Sequence, residues 1–165
     1  MDFFDEQFLN FWRALNQHEV RYIMVGGLAV NLHGFSRTTE DLDIWLEDEL
    51  ENRKRFRKAF AALDYGDYPS LETMQFVPGW TDFYLGYGVR LDLMTSMKGL
   101  ENITFDYAYK RASIAEIENI KIPFLHIGQL LENKKAVNRP KDQIDVIELE
   151  KIRKIIEDQK KKDDS

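Results

Sequence analysis

The chain has 165 residues, of which 44% are hydrophobic, 13% aromatic and 32% charged, and its net charge at pH 7 is −6. This length and composition predict one soluble domain, or one domain with a helical extension. The negative charge argues against a nucleic-acid binder that works by bulk electrostatics. The absence of cysteine excludes disulfides, zinc-thiolate sites and thiol catalysis.

No targeting or membrane segment is expected. The first six residues, Met1 to Glu6, are acidic and lack the basic start of a signal peptide. No apolar run approaches the roughly 20 residues that a membrane helix needs. We therefore expect a cytoplasmic protein that does not span a membrane.

Hydrophobic periodicity and turn residues divide the first 63 residues into two strands and three helices. In chain order the sequence predicts an amphipathic helix over 3–17, a short buried strand over 21–25, a helix that Gly26-Gly27 opens and Gly34 ends, a polar loop over 36–40, a strand over 41–46 and a charged helix over 48–63.

The remainder reads as a hairpin followed by alternating short elements. Residues 64–80 are turn-rich and receive no assignment. We then predict strands at about 81–86 and 89–95 joined by a Gly86–Gly88 turn, a short helix over 104–110, one or two edge strands over 112–123 stopped by Pro123, a helix over 127–137, and a last helix from Pro140 to about 158 before a frayed tail over 160–165. The main domain is expected to span 1–150, the N-terminal helix included, and 151–165 are expected to be the helix end and tail.

The most informative motif is an Asp-x-Asp pair inside a strand pattern. Alternation places Asp41 and Asp43 on one face while Leu42 and Ile44 point into the core. A third aspartate, Asp92, lies in a similar apolar frame. Like charges on one face repel, and a divalent cation removes that cost; carboxylate oxygens suit Mg²⁺ or Mn²⁺.

Thirteen residues separate a double glycine from the first of these aspartates. Gly26 and Gly27 open a helix and so offer bare backbone N–H groups, the usual cradle for phosphate. With the carboxylates, they indicate metal-assisted phosphoryl or nucleotidyl transfer.

The order of these motifs resembles the nucleotidyltransferase superfamily that includes DNA polymerase β and the minimal antibiotic-type nucleotidyltransferases. Its signature is a hydrophobic residue with Gly-Gly or Gly-Ser, a gap, and Asp-hydrophobic-Asp/Glu-hydrophobic. Here Val25-Gly26-Gly27 and Asp41-Leu42-Asp43-Ile44 match it. A second block, Lys134 with Arg139-Pro140-Lys141-Asp142 and Asp145, resembles the AbiEii-type branch, which holds abortive-infection toxins. The resemblance spans about residues 20 to 150.

The resemblance implies an α/β (α+β) nucleotidyltransferase fold, a short twisted mixed sheet flanked by helices with the site at one edge of the sheet. It also implies the reaction: attack of an acceptor hydroxyl on the α-phosphorus of a nucleoside triphosphate, with release of pyrophosphate. The acceptor is an RNA end, a protein side chain or a small molecule, since fold-level resemblance does not choose among them. The AbiEii-type branch adds a toxin role with an antitoxin partner.

Each motif residue then has an expected role. Asp41 and Asp43 would hold the metals and position the triphosphate, and Asp92 would ligate the metal nearer the acceptor and take the acceptor's proton. The nucleotide would be bound by Gly26, Gly27, Arg37 and Lys134: the glycines through backbone N–H groups, Arg37 from the preceding loop through a bidentate contact, and Lys134 as a point charge that acts in catalysis as pyrophosphate forms.

Several interpretations stay open at this stage. Lys135 is chemically equivalent to Lys134, and only the resemblance favours the latter. Arg139, Lys141 and Asp142 are as consistent with a capping and ion-pair cluster as with catalysis, and Asp145 is expected to give structural support. The chain as a whole has a rival interpretation, a catalytically silent domain that binds an antitoxin or a second copy. A nucleotide sensor that never turns over is a third.

Overall fold

The computed structural model describes residues 5–77, 81–85 and 88–165. The helices are α1 (Glu6–Gln17), α2 (Gly26–His33), α3 (Leu50–Ala62), α4 (Phe105–Arg111), α5 (Ile127–Val137) and α6 (Pro140–Asp163), with a short 3₁₀ helix at Pro69–Glu72. The strands are β1 (Tyr22–Val25), β2 (Asp41–Leu46), β3 (Asp82–Tyr84), β4 (Arg90–Met94), β5 (Ser113–Ile117) and β6 (Ile120–Phe124).

In the described residues the strands form one mixed sheet in the order β3-β4-β2-β1-β6-β5. The pairs β2–β4 and β1–β6 are parallel, and the pairs β1–β2, β3–β4 and β5–β6 are antiparallel. The predicted fold class, a short mixed sheet flanked by helices, is confirmed. The strands that carry the three aspartates, β2 and β4, lie inside the sheet rather than at its edge, because β3 covers the outer side of β4.

The helices pack in two groups. Helix α1 contacts α3, while α2 contacts α5 and α6. Trp12, Tyr22 and Phe56 are among the largest fully buried side chains, and each contributes roughly 1.5–3 kcal/mol or more by leaving water. The group formed by α2, α5 and α6 matters most for function, because α2 begins at the double glycine and α5 carries Lys134.

The prediction that Pro123 stops an edge strand is wrong. Pro123 lies inside β6, which pairs with β5 on one side and β1 on the other. The Leu125 N–H donates to the Met24 carbonyl on β1, and alternate residues of a strand face the same way, so the nitrogen of residue 123 also faces β1. Proline there removes no hydrogen bond from the β5–β6 ladder.

The last helix is longer than predicted. Helix α6 runs to Asp163 instead of about 158, so most of the expected frayed tail is helical. Lys160, Lys161 and Lys162 lie in its last turn, where cations are favourable near the negative end of the helix dipole. Glu157 and Asp158 precede two of them at the i,i+4 spacing that stabilises exposed helices.

Two predicted features extend outside the described residues. The sequence predicts the first helix from residue 3, and the described part begins at Glu6 with Asp5 as its N-cap, whose carboxylate accepts from the Gln7 N–H at 2.9 Å. The β3–β4 hairpin pairs as expected, but Gly86 in its predicted turn is not among the described residues. In the described part of the chain, no helix combines the length and apolar character needed to cross a membrane.

Candidate functional site

The parallel pair β2–β4 brings the aspartates together. Asp43 lies opposite Asp92 in the register, and Asp41 lies opposite Arg90. Leu42, which lies between the two aspartates of β2, and Ile44, which follows Asp43, are fully buried. Their burial confirms the predicted alternation. The third carboxylate therefore lies beside the pair because two strands distant in sequence run in register.

The double glycine is pressed against this carboxylate face. Val25, the last residue of β1, lies opposite Asp43, so α2 begins beside the aspartate. Gly26 has φ +69°, and a Cβ placed on it would lie 2.3 Å from Asp43 Oδ2. Only glycine combines that backbone conformation with so close an approach, and the N-terminus of α2 consequently faces the same space as the carboxylates.

Gly27 is confined from the other side by the loop that precedes β2. A Cβ on Gly27 would lie 2.7 Å from Thr39 Oγ1 and 3.2 Å from Arg37 Nη1. The polar loop predicted from the sequence therefore places a guanidinium next to the start of α2, where backbone N–H groups and the helix dipole favour an anion.

Asp43 is the electrostatic focus of the carboxylate group. Burial raises its pKa to about 7, with further contributions from the negative charges of Asp92 and Asp41, while Lys134 and Lys141 act in the opposite direction. Negative charge is thus under-compensated at Asp43, which is where a cation would be favoured most.

Lys134, on α5, interacts electrostatically with Asp43 and is almost fully buried, with 4% of its side chain exposed. Its Nζ lies 3.1 Å from Asp142 Oδ1 and 3.1 Å from Asp145 Oδ2, and both of these aspartates on α6 are completely buried. Lys135 points elsewhere: its side chain is 46% exposed and pairs with Glu150 at 3.0 Å. The geometry therefore separates the two lysines that the sequence could not.

Arg37 is held by the same helix. Its Nε and Nη2 donate to Asp145 Oδ1 and Oδ2 at 2.7 and 2.9 Å, and its Nη1 donates to the Thr38 carbonyl at 3.1 Å. The two-pronged contact that we expected Arg37 to offer a phosphate is used by Asp145. The Nη1 side, which faces Gly27, is the part nearest the start of α2.

Asp142 joins the cluster to the beginning of α6. It accepts from the Arg139 backbone N–H at 3.0 Å and from Arg139 Nε at 2.6 Å. Burial acts to raise the pKa of Asp142, but the Arg139 hydrogen bonds and the Lys134 charge outweigh it and lower the pKa to about 2. Asp142 therefore both caps a helix and pairs with the cleft lysine, which is the capping and ion-pair cluster that the sequence allowed.

One cleft of about 510 Å³ connects these groups. It contains every residue that the sequence analysis selected, and these are Gly26, Gly27, Arg37, Asp41, Asp43, Asp92 and Lys134. They come from α2, the following loop, β2, β4 and α5, so the fold and not the local sequence brings them together.

The cleft also contains Arg139 and Lys141, whose role the sequence left open. Its other lining residues were not selected, and among them are Thr39, Glu40, Arg90, Ser96, Lys98 and Asn133. Arg90 has a sequence signal: it precedes Asp92 by two residues and therefore shares its face of β4. Lys98 and Lys141 are exposed, and neither forms an ion pair with another described residue. No sequence pattern marks Lys98.

Arg90 forms an ion pair with Asp41, one of the proposed metal ligands. Its Nη2 donates to Asp41 Oδ2 at 2.9 Å, and its Nη1 lies 3.6 Å from Asp82 Oδ2. Across residues 5–77, 81–85 and 88–165, no three His, Asp or Glu side chains are gathered in the arrangement of a metal site. Asp41 would have to turn from Arg90 to join Asp43 and Asp92 on an ion.

Two solved structures share the fold of this chain. A lincomycin-bound lincosamide antibiotic adenylyltransferase, LnuA, aligns with a TM-score of 0.59 and 17% identity, over 90% of this chain and 97% of LnuA. A putative nucleotidyltransferase (TM1012) from Thermotoga maritima aligns with a TM-score of 0.54 and 18% identity, over 91% and 90% of the two chains. At these identities the likeness shows the fold.

Sequence comparison gives the family. None of the curated proteins matches the chain. Residues 7–161 match the family described as "Nucleotidyltransferase of unknown function (DUF6036)", a span that includes every residue of the cleft. The chain therefore belongs to the DUF6036 family of nucleotidyltransferases.

Proposed function

We propose that this protein transfers a nucleoside monophosphate from a nucleoside triphosphate to an acceptor hydroxyl, with Mg²⁺ or Mn²⁺ as its cofactor. The observation that carries the proposal is the single cleft in which three carboxylates meet a helix N-terminus and a buried lysine. Carboxylates that bind a cation and donors that bind an anion are the two halves of a metal–triphosphate site.

The donor set fits a hard divalent cation. Asp43 and Asp92 are opposite each other on parallel strands, and burial together with the negative charges of Asp92 and Asp41 raises the pKa of Asp43. Asp41 completes the set once it exchanges Arg90 for the ion. Carboxylate oxygens are the ligands that Mg²⁺ and Mn²⁺ prefer. When bound, such ions polarise the α-phosphate and stabilise both the attacking and the leaving oxygens.

The phosphate side of the cleft is formed by α2 and α5. Gly26 and Gly27 form the start of α2, and their backbone N–H groups donate hydrogen bonds to the β- and γ-phosphates. Lys134 balances the charge that accumulates as pyrophosphate leaves. Arg37 adds positive charge beside Gly27 through its Nη1 side.

Asp92 serves the acceptor side. It lies on β4, one strand farther from the double glycine than Asp43, and it is buried. In this role it accepts the proton of the attacking hydroxyl while Asp41 and Asp43 position the triphosphate. The base need not be strong, because a divalent cation held by the carboxylates would lower the pKa of the acceptor hydroxyl.

Pyrophosphate release tests the proposal. Each of the four ribonucleoside triphosphates is incubated with the protein and Mg²⁺, with and without total bacterial RNA, beside an Asp41→Ala/Asp43→Ala control. We expect release that requires both aspartates, and stimulation by RNA identifies RNA as the acceptor. If no triphosphate yields pyrophosphate with RNA, total bacterial protein or a bacterial small-molecule extract supplied as the acceptor, the transferase proposal is overturned.

A thermal-shift measurement separates the rival functions. A nucleotide sensor shows a Mg²⁺- and triphosphate-dependent rise in melting temperature that Asp43→Asn abolishes, yet releases no pyrophosphate. A silent binding domain, which would act through an antitoxin or a second copy, shows neither effect. The transferase shows both.

The resemblance to AbiEii-type toxins extends the proposal to a toxin–antitoxin pair. In that case expression of the chain alone arrests bacterial growth, and the Asp41→Ala/Asp43→Ala protein at equal abundance does not. Growth at the normal rate with active wild-type protein present would contradict a toxin role and leave the transferase reaction in place.

A further inference from the structure

We propose that Asp145 is the positioning residue of the nucleotide site: one buried carboxylate on α6 holds Arg37 and Lys134, the two cations that the proposed function assigns to the triphosphate. This inference rests on the proposed function and assigns a role that neither the motifs nor the comparisons give. The sequence alone predicts only structural support for Asp145.

The two cations converge on a single side chain. Asp145 Oδ1 accepts from Arg37 Nε at 2.7 Å, and Oδ2 accepts from Arg37 Nη2 at 2.9 Å while also lying 3.1 Å from Lys134 Nζ. Both oxygens are thus used, and the side chain has no exposed surface. Arg37 and Lys134 come from different parts of the chain, and Asp145 links them directly.

The contact fixes which part of Arg37 faces the cleft. Because Asp145 takes the Nε and Nη2 side, Nη1 is the part that approaches Gly27, where a Cβ would lie 3.2 Å away. A planar guanidinium held at two points has little rotational freedom left. Lys134 has a flexible stem, and its two carboxylate partners on α6 similarly restrict it to the cleft side of α5.

A purely stabilising role explains this arrangement poorly. Burying charged groups carries a desolvation cost that ion pairing only roughly offsets, and apolar replacements of buried pairs are often as stable. Counted by itself, the cluster of Arg37, Lys134 and Arg139 with Asp142 and Asp145 carries one excess positive charge, and it lies beside the separate carboxylate group of Asp43. That excess is useful to a site that binds a polyanion.

Positioning and simple electrostatics predict opposite effects for one substitution. Asp145→Asn removes a negative charge near a polyanion, and Coulomb's law alone then predicts tighter binding of ATP. An amide, however, offers one acceptor where the carboxylate offers two, and its NH₂ group faces cations. If Asp145 works by positioning, binding weakens although the site has become more positive.

The test is calorimetric titration of the folded proteins with ATP and Mg²⁺. We expect Asp145→Asn to weaken ATP binding about tenfold, as the loss of a charge-assisted bidentate contact warrants. Glu148→Gln is the control, because it makes the same charge change three residues along α6, where Glu148 contacts Lys151 at 3.2 Å outside the cleft. Its ATP affinity should stay within about twofold of the wild type.

A double-mutant cycle distinguishes positioning from general structural support. If Asp145 acts through Arg37, then Asp145→Asn and Arg37→Gln are strongly non-additive in ATP affinity, whereas independent structural damage adds. Should Asp145→Asn not fold, Arg37→Lys gives the answer alone, since it keeps the charge and loses the two-point contact. It should then bind ATP several-fold more weakly.

The outcomes are separable. Wild-type protein that does not bind ATP or any other nucleoside triphosphate overturns the proposed function itself. Wild-type binding together with equal or tighter binding by Asp145→Asn overturns the positioning role alone. If Asp145→Asn does not fold, a wild-type ATP affinity in the Arg37→Lys protein likewise overturns the positioning role alone.

Discussion

Gly26 lies where β1 ends and where the Asp43 carboxylate comes closest to the backbone. Its positive φ is one constraint, and the missing side chain that lets Asp43 approach is a second. Gly88 offers a comparison within the same chain. It has φ +76°, but among the described residues other than its chain neighbours no atom lies within 4 Å of where its Cβ would be. Substitution of Gly88 therefore tests backbone strain alone, whereas substitution of Gly26 tests backbone strain together with the close approach of Asp43.

We expect Gly88→Ala to destabilise the protein by about 1–2 kcal/mol, the cost of a left-handed conformation for an L-residue. Gly26→Ala should cost about 2–4 kcal/mol because displacement of Asp43 is added to that strain. Urea unfolding of both variants measures the difference. Equal losses for the two would contradict the close packing of Gly26 against Asp43.

Asp142 gives a pH-dependent prediction. Its pKa in the folded protein, about 2, is below the ordinary value near 4, so its contribution to stability is complete above about pH 4 and is lost as the pH falls through about 2. The free energy of unfolding of Asp142→Asn should be about 2 kcal/mol below wild type at neutral pH. The difference should shrink below pH 4.

Chemical unfolding at a series of pH values provides this check. The Glu148→Gln protein serves as reference because Glu148 is a partly exposed residue of the same helix. A deficit for Asp142→Asn that is unchanged down to pH 2 would show that its carboxylate charge does not stabilise the folded state.

The ion pair between Arg90 and Asp41 leads to a prediction about the proposed metal ligands. Since Arg90 pairs with Asp41 at 2.9 Å, Arg90→Gln should free Asp41 and tighten Mn²⁺ binding by up to about fivefold, the range of a partly exposed ion pair. Arg57→Gln is a suitable control, because Arg57 pairs with Asp67 and Glu72 outside the cleft. Titration with Mn²⁺ alone measures both. Unchanged affinity in Arg90→Gln would mean that Asp41 does not bind the ion.

At the scale of elements, α6 has two parts with different roles. Its first turns contain Asp142, Asp145 and Leu149, which are fully buried, whereas every residue from 157 to 165 is exposed. The first part fixes the cleft cations, and the second extends past the packed body of the domain.

Removal of residues 157–165 should therefore change the free energy of unfolding by no more than about 0.5 kcal/mol, as for most exposed positions. Leu149→Ala, on the same helix, should cost about 2–5 kcal/mol because it leaves a cavity in the core. Differential scanning calorimetry compares the two proteins. A loss on truncation as large as that of Leu149→Ala would show that the terminal turns have a packing partner.

The elements also show which predictions a sequence can support. The strand–Gly-Gly–helix and the Asp-x-Asp strand are predicted correctly because their signals are local: turn residues, alternation and helical spacing. The interpretation of Pro123 is wrong because the cost of a proline inside a strand depends on which neighbouring strand its nitrogen faces. The order of strands in the sheet decides that, and the local sequence does not. The length of α6 is underestimated because its last turns are fully exposed and carry charged residues instead of the apolar periodicity on which the prediction relied.

At the scale of the whole molecule, the site is assembled by tertiary structure. The register of β2 with β4 unites Asp43 and Asp92, and the packing of α6 unites Arg37 with Asp145, 108 residues apart in sequence. The selected residues share a cleft as expected, since the motif order implied a known architecture. The ion pairs of Arg90 with Asp41 and of Arg37 with Asp145 have no local signature and required the fold.

The central claim is the transfer of a nucleotidyl group, and the position of a radiolabel after reaction tests it most directly. The protein, Mg²⁺ and total bacterial RNA or protein are incubated with ATP labelled at either the α- or the γ-phosphate, beside Asp41→Ala/Asp43→Ala. The account predicts that the α-label becomes attached to an acceptor while the γ-label leaves in pyrophosphate, both only with intact aspartates. Attachment of the γ-label, or release of orthophosphate in place of pyrophosphate, would contradict it.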